Sequence, residues 1–335
     1  MAPFYLTEHG STLSLDDRRL IVRLKDEDIA SAPLAHIDTI VVMANATITT
    51  PTLKALLREG VDIVYLTSHG DYCGRMIGPL TGYGELRRLH YSACSDPNRT
   101  LQIARACVQG KLRNMRALLM RYNRDLNSQE VSQACERIAA ALLTIDSAID
   151  RATLMGQEGA ASAAYFGAFG HLFKRDWAFD GRNRRPPTDP VNVLLSFGYT
   201  LLAKQMEAAI NLVGLDPYLG FLHEVSYGRP SLALDLMEEF RAIVADSVAL
   251  RCLNNNLILP EDFSNDPDPL AERPVILSKA GSKRFIGEFE LRLATEIVHP
   301  DTGERATYRR VFELQVRRLA TAIKEGRDYA PFLVR

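Results

Sequence analysis

The sequence predicts an α+β protein in which a β-rich, β-sandwich-like N-terminal domain precedes a larger all-α domain. Up to about residue 80, short apolar runs alternate with turn-like segments, a pattern typical of strands. From about Asp96 onward, apolar residues recur at three- and four-residue spacings, which is typical of helices. At 335 residues the chain is long enough for two cores. We therefore expect domains at 1–84 and 85–335.

Short apolar runs bounded by turn-forming residues predict the strands of the N-terminal domain. Between the last two of them, Thr50 and Pro51 predict a helix start, with Thr50 as the N-cap and Pro51 at the first helical position. The glycine- and proline-containing segment 78–84 is the predicted linker. The predicted strands cover residues 4–7, 12–15, 20–24, 37–42 and 61–66.

Helical periodicity dominates the remainder of the chain. From Leu101 to Leu119 apolar residues mostly recur every three or four positions, which predicts one long helix. A basic, proline-containing loop from Lys174 to Pro190 interrupts the helices that follow. The other predicted helices lie near 129–156, 158–172, 190–213, 231–250 and 311–325.

The composition, 47% apolar and 24% charged, is that of an ordinary globular protein. No stretch approaches the roughly 20 uninterrupted apolar residues of a membrane span, so no membrane contact is expected. The first residues lack the basic-then-apolar pattern of a signal peptide, which predicts a cytoplasmic protein. The five cysteines form no Cys-x-x-Cys pair, so neither a zinc ribbon nor a disulfide framework is indicated.

The net charge of −1 does not suggest a nucleic-acid-binding protein, but the basic residues are clustered. One cluster lies on the predicted long helix, where the alternative to DNA contact is an ordinary polar face. The other lies on the loop after the segment 158–172, with Trp177 and Phe179 between its members, and could contact a frayed DNA strand or be a solvated loop. The clusters are Arg99, Arg105, Lys111, Arg113, Arg116, Arg121 and Arg124, and Lys174, Arg175, Arg182, Arg184 and Arg185.

Two acidic residues, Asp235 and Glu238, share one face of a predicted helix because they are three positions apart. Their neighbours on that helix are mostly apolar, so the face is expected to be at least partly buried. A buried carboxylate is costly unless it is paired or bound to a metal. The alternative to a metal site is a pair of ion pairs with arginines such as Arg229 or Arg241.

Two further residues extend this candidate site. His223 lies in a loop just before the acidic helix, although a lone histidine is often only a hydrogen-bonded core or surface residue. Glu158 precedes a run of small residues that permits close approach of a ligand, although it could also be a first-turn acid of a packed helix. Tyr165, two turns further along, is either a residue lining the site or a core aromatic.

Two carboxylates and one imidazole form a donor set suited to Mg²⁺ or Mn²⁺, with coordination positions left for water and phosphate. Zinc fits less well because structural zinc sites use more nitrogen or sulfur ligands. A divalent cation can offset the charge that develops during attack on a phosphodiester. From the residues alone, Glu158, His223 and Glu238 predict a metal-dependent phosphodiesterase.

Three segments, taken together, are more specific than any single residue. On them the chain resembles the CRISPR-associated endonuclease and integrase family of the spacer-acquisition module, its universal larger subunit (CRISPR-associated protein one). The resemblance extends over essentially the whole chain. The segments are Glu158-Gly159-x-x-Ser162-x-x-Tyr165-Phe166, Gly220-Phe221-Leu222-His223, and Gly228-Arg229-Pro230-Ser231-Leu232-x-x-Asp235-Leu236-Met237-Glu238-Glu239-Phe240-Arg241.

The resemblance implies that the catalytic metal ligands are Glu158, His223 and Glu238. Some relatives carry Asp where this chain has Glu238, and the longer side chain can still bind a cation. The residues expected to support the site are Asp235, Tyr165, Arg229 and Ser231.

The resemblance also implies the reaction and the partners. The 3′-hydroxyl of a short DNA fragment attacks the edge of a CRISPR repeat, and with water as nucleophile the same site cleaves DNA. The implied partners are double-stranded DNA (the prespacer and the repeat), a second copy in a homodimer, and a small ferredoxin-like CRISPR-associated protein. The N-terminal domain is expected to serve dimer or partner contacts. Two alternatives remain: a repair nuclease for branched DNA and a catalytically idle DNA-binding scaffold.

Overall fold

The computed structural model describes residues 2–67, 72–78, 83–183, 186–266, 274–300 and 303–334 and confirms the α+β class. Strands make up most of the N-terminal part, and helices dominate the remainder. The chain divides into two compact units, Met1–Gly82 and Tyr83–Arg335. Among the described residues, no helix is both long enough and apolar enough to cross a membrane.

The N-terminal unit contains two four-stranded sheets in its described part. Its elements are β1 (Ala2–Leu6), β2 (Thr12–Asp16), β3 (Arg19–Leu24), β4 (Glu27–Pro33), β5 (Ile37–Val42), β6 (Thr47–Ile48), α1 (Thr50–Arg58), β7 (Asp62–Leu66) and β8 (Tyr72–Met76). In the first sheet, ordered β1-β5-β7-β8, only β8 is antiparallel to its neighbour. In the second, ordered β4-β3-β2-β6, three strands form an antiparallel meander and β6 pairs parallel with β2.

Both sheets contribute to one apolar core. Leu13 and Leu20 from the second sheet and Ile40 and Ile63 from the first are fully buried in the same cluster. Alternation marks β3, in which buried Leu20 and Val22 are separated by a more exposed residue, whereas residues 39–42 of the inner strand β5 are all buried. The five predicted strands are present, with ends shifted by at most two residues.

Three strands and one cap differ from the prediction. The sequence does not predict β4, β6 or β8, and in β4 most side chains are exposed, so no apolar alternation marks it. The N-cap of α1 is Thr49 rather than Thr50, since the Thr49 hydroxyl accepts a hydrogen bond from the Thr52 N–H. Residues 79–82 of the predicted linker lie outside the described residues, and Gly84 already begins a helix.

The second unit is mainly helical, with a π-helical turn at Arg241–Asp246. Two short antiparallel strand pairs interrupt the predicted all-α arrangement. The elements are α2 (Gly84–Ser95), α3 (Pro97–Leu126), α4 (Gln129–Thr144), α5 (Arg151–Phe169), α6 (Pro190–Val213), α7 (Ser231–Met237), α8 (Ser247–Asn254), β9 (Phe263–Asn265), β10 (Val275–Leu277), α9 (Lys279–Ala294), β11 (Glu296–Val298), β12 (Arg305–Thr307) and α10 (Tyr308–Glu325).

Helix boundaries near the candidate site were predicted at the wrong positions. The break expected at residue 157 occurs between α4 and α5, where the Asp150 carboxylate caps α5 by accepting from the Thr153 N–H at 2.8 Å. Glu158 therefore lies two turns inside α5 and is not a first-turn acid. The predicted helix 231–250 is three consecutive pieces, because the π-helical turn separates α7 from α8.

Helix α3 is the central helix of the core of this unit. Its central residues are buried, and it packs against α4, α5 and the π-helical turn. Helix α6 packs against α7 and α10. The acidic residues of α5 and of the segment after α7 are thus both brought against the middle of α3.

Candidate metal centre

The loop between α6 and α7 is folded around the carboxylate of Asp235, which is completely buried. Its two oxygens accept hydrogen bonds from the backbone N–H groups of Phe221 at 2.5 Å, Leu222 at 2.9 Å and His223 at 2.9 Å. These donors compensate the cost of burying the negative charge. Gly220 allows the approach, because a Cβ there would lie 2.7 Å from Asp235 Oδ2.

The same carboxylate orients the imidazole of His223. His223 Nδ1 lies 2.7 Å from Asp235 Oδ1, so the hydrogen-bonded network assigns the proton to Nδ1 and leaves the lone pair of Nε2 for a ligand. The side chain is 14% exposed, which keeps that nitrogen accessible from solvent. Asp235 thus orients the imidazole of His223, and its supporting role in a metal site stays a prediction.

Ser231 and His90 fix the two sides of this loop. The buried hydroxyl of Ser231 donates to the carbonyl of Glu224 at 2.8 Å. On the other side His90 Nε2 donates to the Leu219 carbonyl at 3.0 Å, and Nδ1 accepts from the Asp216 N–H at 3.4 Å. Burial lowers the pKa of His90 to about 4, so the ring is neutral.

Glu158 and Glu238 meet at one cation, the ammonium of Lys111. Lys111 Nζ contacts Glu158 Oε1 and lies 2.8 Å from Glu238 Oε2. The three side chains come from α5, the segment after α7 and α3. The side chains of Lys111 and Glu238 are 4% and 3% exposed, whereas Glu158 is 20% exposed and forms the solvent side of the group.

Glu238 is held as a carboxylate despite its burial. Burial would raise its pKa, but the Arg241 guanidinium, the Lys111 ammonium and His223 together lower the pKa to about 2. Arg241 Nη2 binds Glu238 Oε1 at 3.0 Å, which is the arginine ion pair considered as the alternative to a metal site. The other oxygen, Oε2, is buried and makes no aligned hydrogen bond within the described part of the chain, although Lys111 is close to it.

Glu239 anchors the residues that follow α10. Its buried carboxylate accepts hydrogen bonds from the Tyr329 hydroxyl at 2.6 Å, the Phe332 N–H at 2.7 Å and Gln315 Nε2 at 3.1 Å. Burial raises the pKa of Glu239 to about 7 even with these donors. Asn114 joins the same group, donating to the carbonyls of Glu239 at 2.7 Å and Phe332 at 2.8 Å. The C-terminal segment, residues 329–334, thereby holds the backbone beside Glu238.

Tyr165 does not line the site. It is fully buried, and its hydroxyl donates to Asp246 Oδ2 at 2.8 Å, while Tyr199 donates to Asp246 Oδ1 at 2.7 Å. The Arg241 guanidinium lies 4.6 Å from the centre of the Tyr199 ring. Tyr165 therefore belongs to the aromatic core behind Arg241. Arg229 is half-buried in the turn before α7, where its N–H donates to the Ser226 carbonyl at 3.1 Å.

The loop expected to carry mobile basic and aromatic side chains is largely structural. Trp177 is buried against Phe263, and Phe179 packs on Phe169. Arg182 donates to Asn192 Oδ1 at 2.6 Å and to Ser196 Oγ at 3.0 Å, so its side chain is held within the protein, and DNA contact by Arg182 stays a prediction.

The remaining basic residues of that loop divide into two groups. Lys174 and Arg175 are exposed, and Arg175 lies 6.0 Å from the centre of the Trp177 ring. Arg184 and Arg185 lie outside the described residues. DNA contact by these residues stays a prediction.

The basic residues of the cluster on α3 make different kinds of contact. Arg105 and Arg116 donate to the carbonyls of Ala148 and Cys135, so they fasten neighbouring elements. Lys111 is the ion-pair partner of the candidate ligands. The sequence carries a signal for this, since Lys111 is four residues after Cys107 and four before Met115, on the apolar stripe of the helix. A lysine on a buried stripe needs an acidic partner.

The donor set fits a hard divalent cation. No three acidic, imidazole or thiol side chains of the described residues already surround one point. Instead, the ammonium shared by Glu158 and Glu238 marks a position for positive charge, and Glu238 presents a buried oxygen without an aligned donor. His223, which is near enough to influence the pKa of Glu238, offers Nε2. Oxygen-rich ligation with one imidazole suits Mg²⁺ or Mn²⁺.

Comparison with known proteins identifies the family. Residues 4–291 match the family described as "CRISPR associated protein Cas1". "CRISPR-associated endonuclease Cas1 3" of Thermus thermophilus is 40% identical over 332 residues, which cover 99% of this chain and 95% of that protein.

Solved structures share the fold over the whole chain. A casposase bound to its integration product has a TM-score of 0.85 at 22% identity, covering 99% of this chain and 93% of the casposase. A chain of a Cas6-RT-Cas1–Cas2 complex has a TM-score of 0.81 at 25% identity, covering 100% of this chain and 36% of that longer chain. The family match and the 40% identity over nearly the full length establish that the chain belongs to the Cas1 family.

Proposed function

We propose that the protein is a metal-dependent DNA endonuclease and integrase that inserts short foreign DNA fragments into a CRISPR array. The observation that carries this proposal is the meeting of Glu158 and Glu238 at one cation position, beside a histidine whose free nitrogen is oriented by Asp235. The Thermus relative is named an endonuclease, and the casposase with the same fold was captured with its integration product. Both support phosphodiester chemistry at this site.

Glu158, His223 and Glu238 would hold Mg²⁺ or Mn²⁺. When bound, the cation offsets negative charge on the attacked phosphate and lowers the pKa of the attacking hydroxyl. The chain's own residues organise this arrangement. Asp235 keeps the proton on His223 Nδ1, so that Nε2 remains a base, and Arg241 fixes one oxygen of Glu238. Glu158, which is more exposed than Glu238 and Asp235, lies on the solvent side of the group, where a DNA strand would have access to it.

The nucleophile in this proposal is the 3′-hydroxyl of a DNA fragment for insertion, or water for cleavage. Neither reaction forms a covalent protein intermediate, which agrees with the placement of Tyr165 in the core. The exposed Lys174 and Arg175 provide charge for the phosphate backbone, and their contribution should weaken as salt rises.

The proposed partners are double-stranded DNA, a second copy of the chain in a homodimer, and a small ferredoxin-like CRISPR-associated protein. Insertion at both ends of a repeat requires two active sites, which favours a symmetric assembly. The relative found in a Cas1–Cas2 complex supports a second CRISPR-associated protein as partner.

The test is transfer of a duplex with free 3′-hydroxyls into a supercoiled plasmid that carries a CRISPR repeat. The reaction is run with Mn²⁺ or Mg²⁺, with and without the small partner, for wild type and for Glu158→Ala, His223→Ala and Glu238→Ala. We expect metal-dependent insertion that all three substitutions abolish. Insertion that survives them would refute the ligand assignment, and cleavage without insertion would instead support a repair nuclease for branched DNA.

A further inference from the structure

We propose that Lys111 is a positioning residue that holds Glu158 and Glu238 together before the metal binds and gives up Glu238 when the metal enters. This inference rests on the proposed metal-dependent function. Lys111 is not one of the three predicted ligands. The inference explains why a lysine is buried on the apolar face of α3.

The contacts of Lys111 place it between the two acidic groups. Its ammonium pairs with Glu158 from α5 and with Glu238 from the segment after α7, at 2.8 Å in the second case. Two carboxylates with little access to water repel each other strongly. The ammonium offsets that repulsion and holds carboxylates from two separate elements against one positive charge.

Three of the four carboxylate oxygens are held in different ways. Glu158 Oε1 also accepts from the Ser162 hydroxyl at 2.7 Å, and Glu238 Oε1 is paired with Arg241 at 3.0 Å. Glu238 Oε2 is buried with Lys111 nearby but without an aligned hydrogen bond. This oxygen gains most from a metal ion, because its present partner supplies charge without good geometry.

The chemical nature of lysine suits such an exchange. An ammonium on a four-carbon stem is a point charge that can rotate away while keeping a second partner. The planar guanidinium of an arginine would hold both oxygens of a carboxylate and leave less readily. Lys111 therefore assembles the site and competes with the metal at the same time.

Competition makes a specific prediction for metal affinity. Lys111→Met removes the competing charge, so the variant should bind Mn²⁺ more tightly than wild type, on the order of tenfold. Its melting temperature without metal should be lower than that of wild type, and Mn²⁺ should raise it by a larger increment. The affinity is measured from the electron paramagnetic resonance signal of free Mn²⁺ during titration, which does not depend on catalysis.

Two further variants make the test decisive. Arg113→Met removes a positive charge from an exposed position of the same helix and should leave Mn²⁺ affinity within about twofold of wild type. Lys111→Arg keeps the charge but binds the carboxylates more firmly, so it should bind Mn²⁺ more weakly than wild type. Lys111→Arg also serves as the test if Lys111→Met fails to fold.

The outcomes separate this inference from the proposed function. Weaker or unchanged Mn²⁺ binding in Lys111→Met, or binding by Lys111→Arg at least as tight as wild type, would overturn the role of Lys111. If wild type binds Mn²⁺ and Glu158→Ala does not, the metal centre stands whatever the result for Lys111. Absence of Mn²⁺ binding to wild type would overturn the metal centre and this inference with it.

Discussion

The two halves of the candidate metal centre are built in opposite ways. The half that carries His223 is a loop folded around the carboxylate of Asp235 from α7, whose oxygens accept hydrogen bonds from three backbone N–H groups and from the imidazole. The half that carries Glu158 and Glu238 joins two helical segments through a single flexible lysine. The first half is preorganised before any ligand arrives, and the second can adjust. This difference suits a site in which one nitrogen stays fixed while two carboxylates close on a cation.

The largest effect is expected from breaking the preorganised half with Asp235→Asn. The amide nitrogen would face backbone N–H groups where a carboxylate oxygen now accepts from them, and His223 would lose its charged acceptor. We expect a loss of about 3–5 kcal/mol in the free energy of unfolding and loss of strand transfer. Denaturant unfolding and the plasmid assay measure these effects.

The control for Asp235→Asn is Glu224→Gln. Glu224 is largely exposed in the same loop and pairs with Arg151. The substitution should change stability by no more than about 0.5 kcal/mol. A comparably small effect for Asp235→Asn would show that the loop does not depend on this carboxylate.

His90, which binds the loop that carries His223, should make the stability of the protein depend on pH in acid. Its pKa in the folded protein is about 4 against an ordinary 6.5, so both folded and unfolded states are neutral above pH 6.5. As the pH falls from 6.5 to 4, the unfolded chain takes up a proton that the folded chain does not. Stability should fall across this window by at most about 3 kcal/mol.

The measurement is denaturant unfolding at several pH values for wild type and His90→Gln. Glutamine cannot titrate, so the variant should lack this part of the acid dependence and be less stable near neutral pH, where it lacks the ring's two hydrogen bonds. Parallel pH profiles for the two proteins would contradict the role given to His90.

Gly110→Ala tests how closely α3 packs against Pro331 and Glu239, next to the half of the site that carries Glu158 and Glu238. A Cβ at this position would lie 2.7 Å from Pro331 Cβ and 2.9 Å from Glu239 Cγ. The clash should cost about 1–3 kcal/mol, which outweighs the gain of about 1 kcal/mol from replacing a helical glycine. A net loss of up to about 2 kcal/mol is expected in thermal or denaturant unfolding.

Gly167→Ala is the matched control, because nothing lies within 4 Å of a Cβ there in α5. It should stabilise the protein by up to about 1 kcal/mol. If Gly110→Ala is equally stabilising, the C-terminal segment is not packed against α3 as described.

The smallest effect is expected for Ser162→Ala. The hydroxyl donates one hydrogen bond to Glu158, and its loss should cost about 0.5–1.5 kcal/mol. Strand transfer should fall about two- to fivefold because Glu158 is held less firmly. Ser147→Ala, which removes an exposed hydroxyl that donates to the Thr144 carbonyl, should leave transfer unchanged. Equal rates for both variants and wild type would remove Ser162 from the site.

The sequence predicts those parts of the molecule that local patterns encode. The alternating strands and the long helix α3 follow from periodicity, and the three ligand candidates follow from their motifs. Part of the support for those ligands comes from residues far away in sequence, and a local pattern shows at most that such a residue needs a partner, not which partner it has. His90 reaches the loop before His223, and Lys111 reaches both glutamates only after α3, α5 and α7 pack together.

The C-terminal segment, residues 329–334, is needed to keep the backbone beside Glu238 in place. The matched family region ends at residue 291, whereas Tyr329 and Phe332 hold the carboxylate next to Glu238. A fragment that stopped before Tyr329 would retain every motif and every candidate ligand. It would nevertheless leave the buried carboxylate of Glu239 without two of its three donors. Such a fragment would still contain the whole family region, although the backbone beside Glu238 would no longer be anchored.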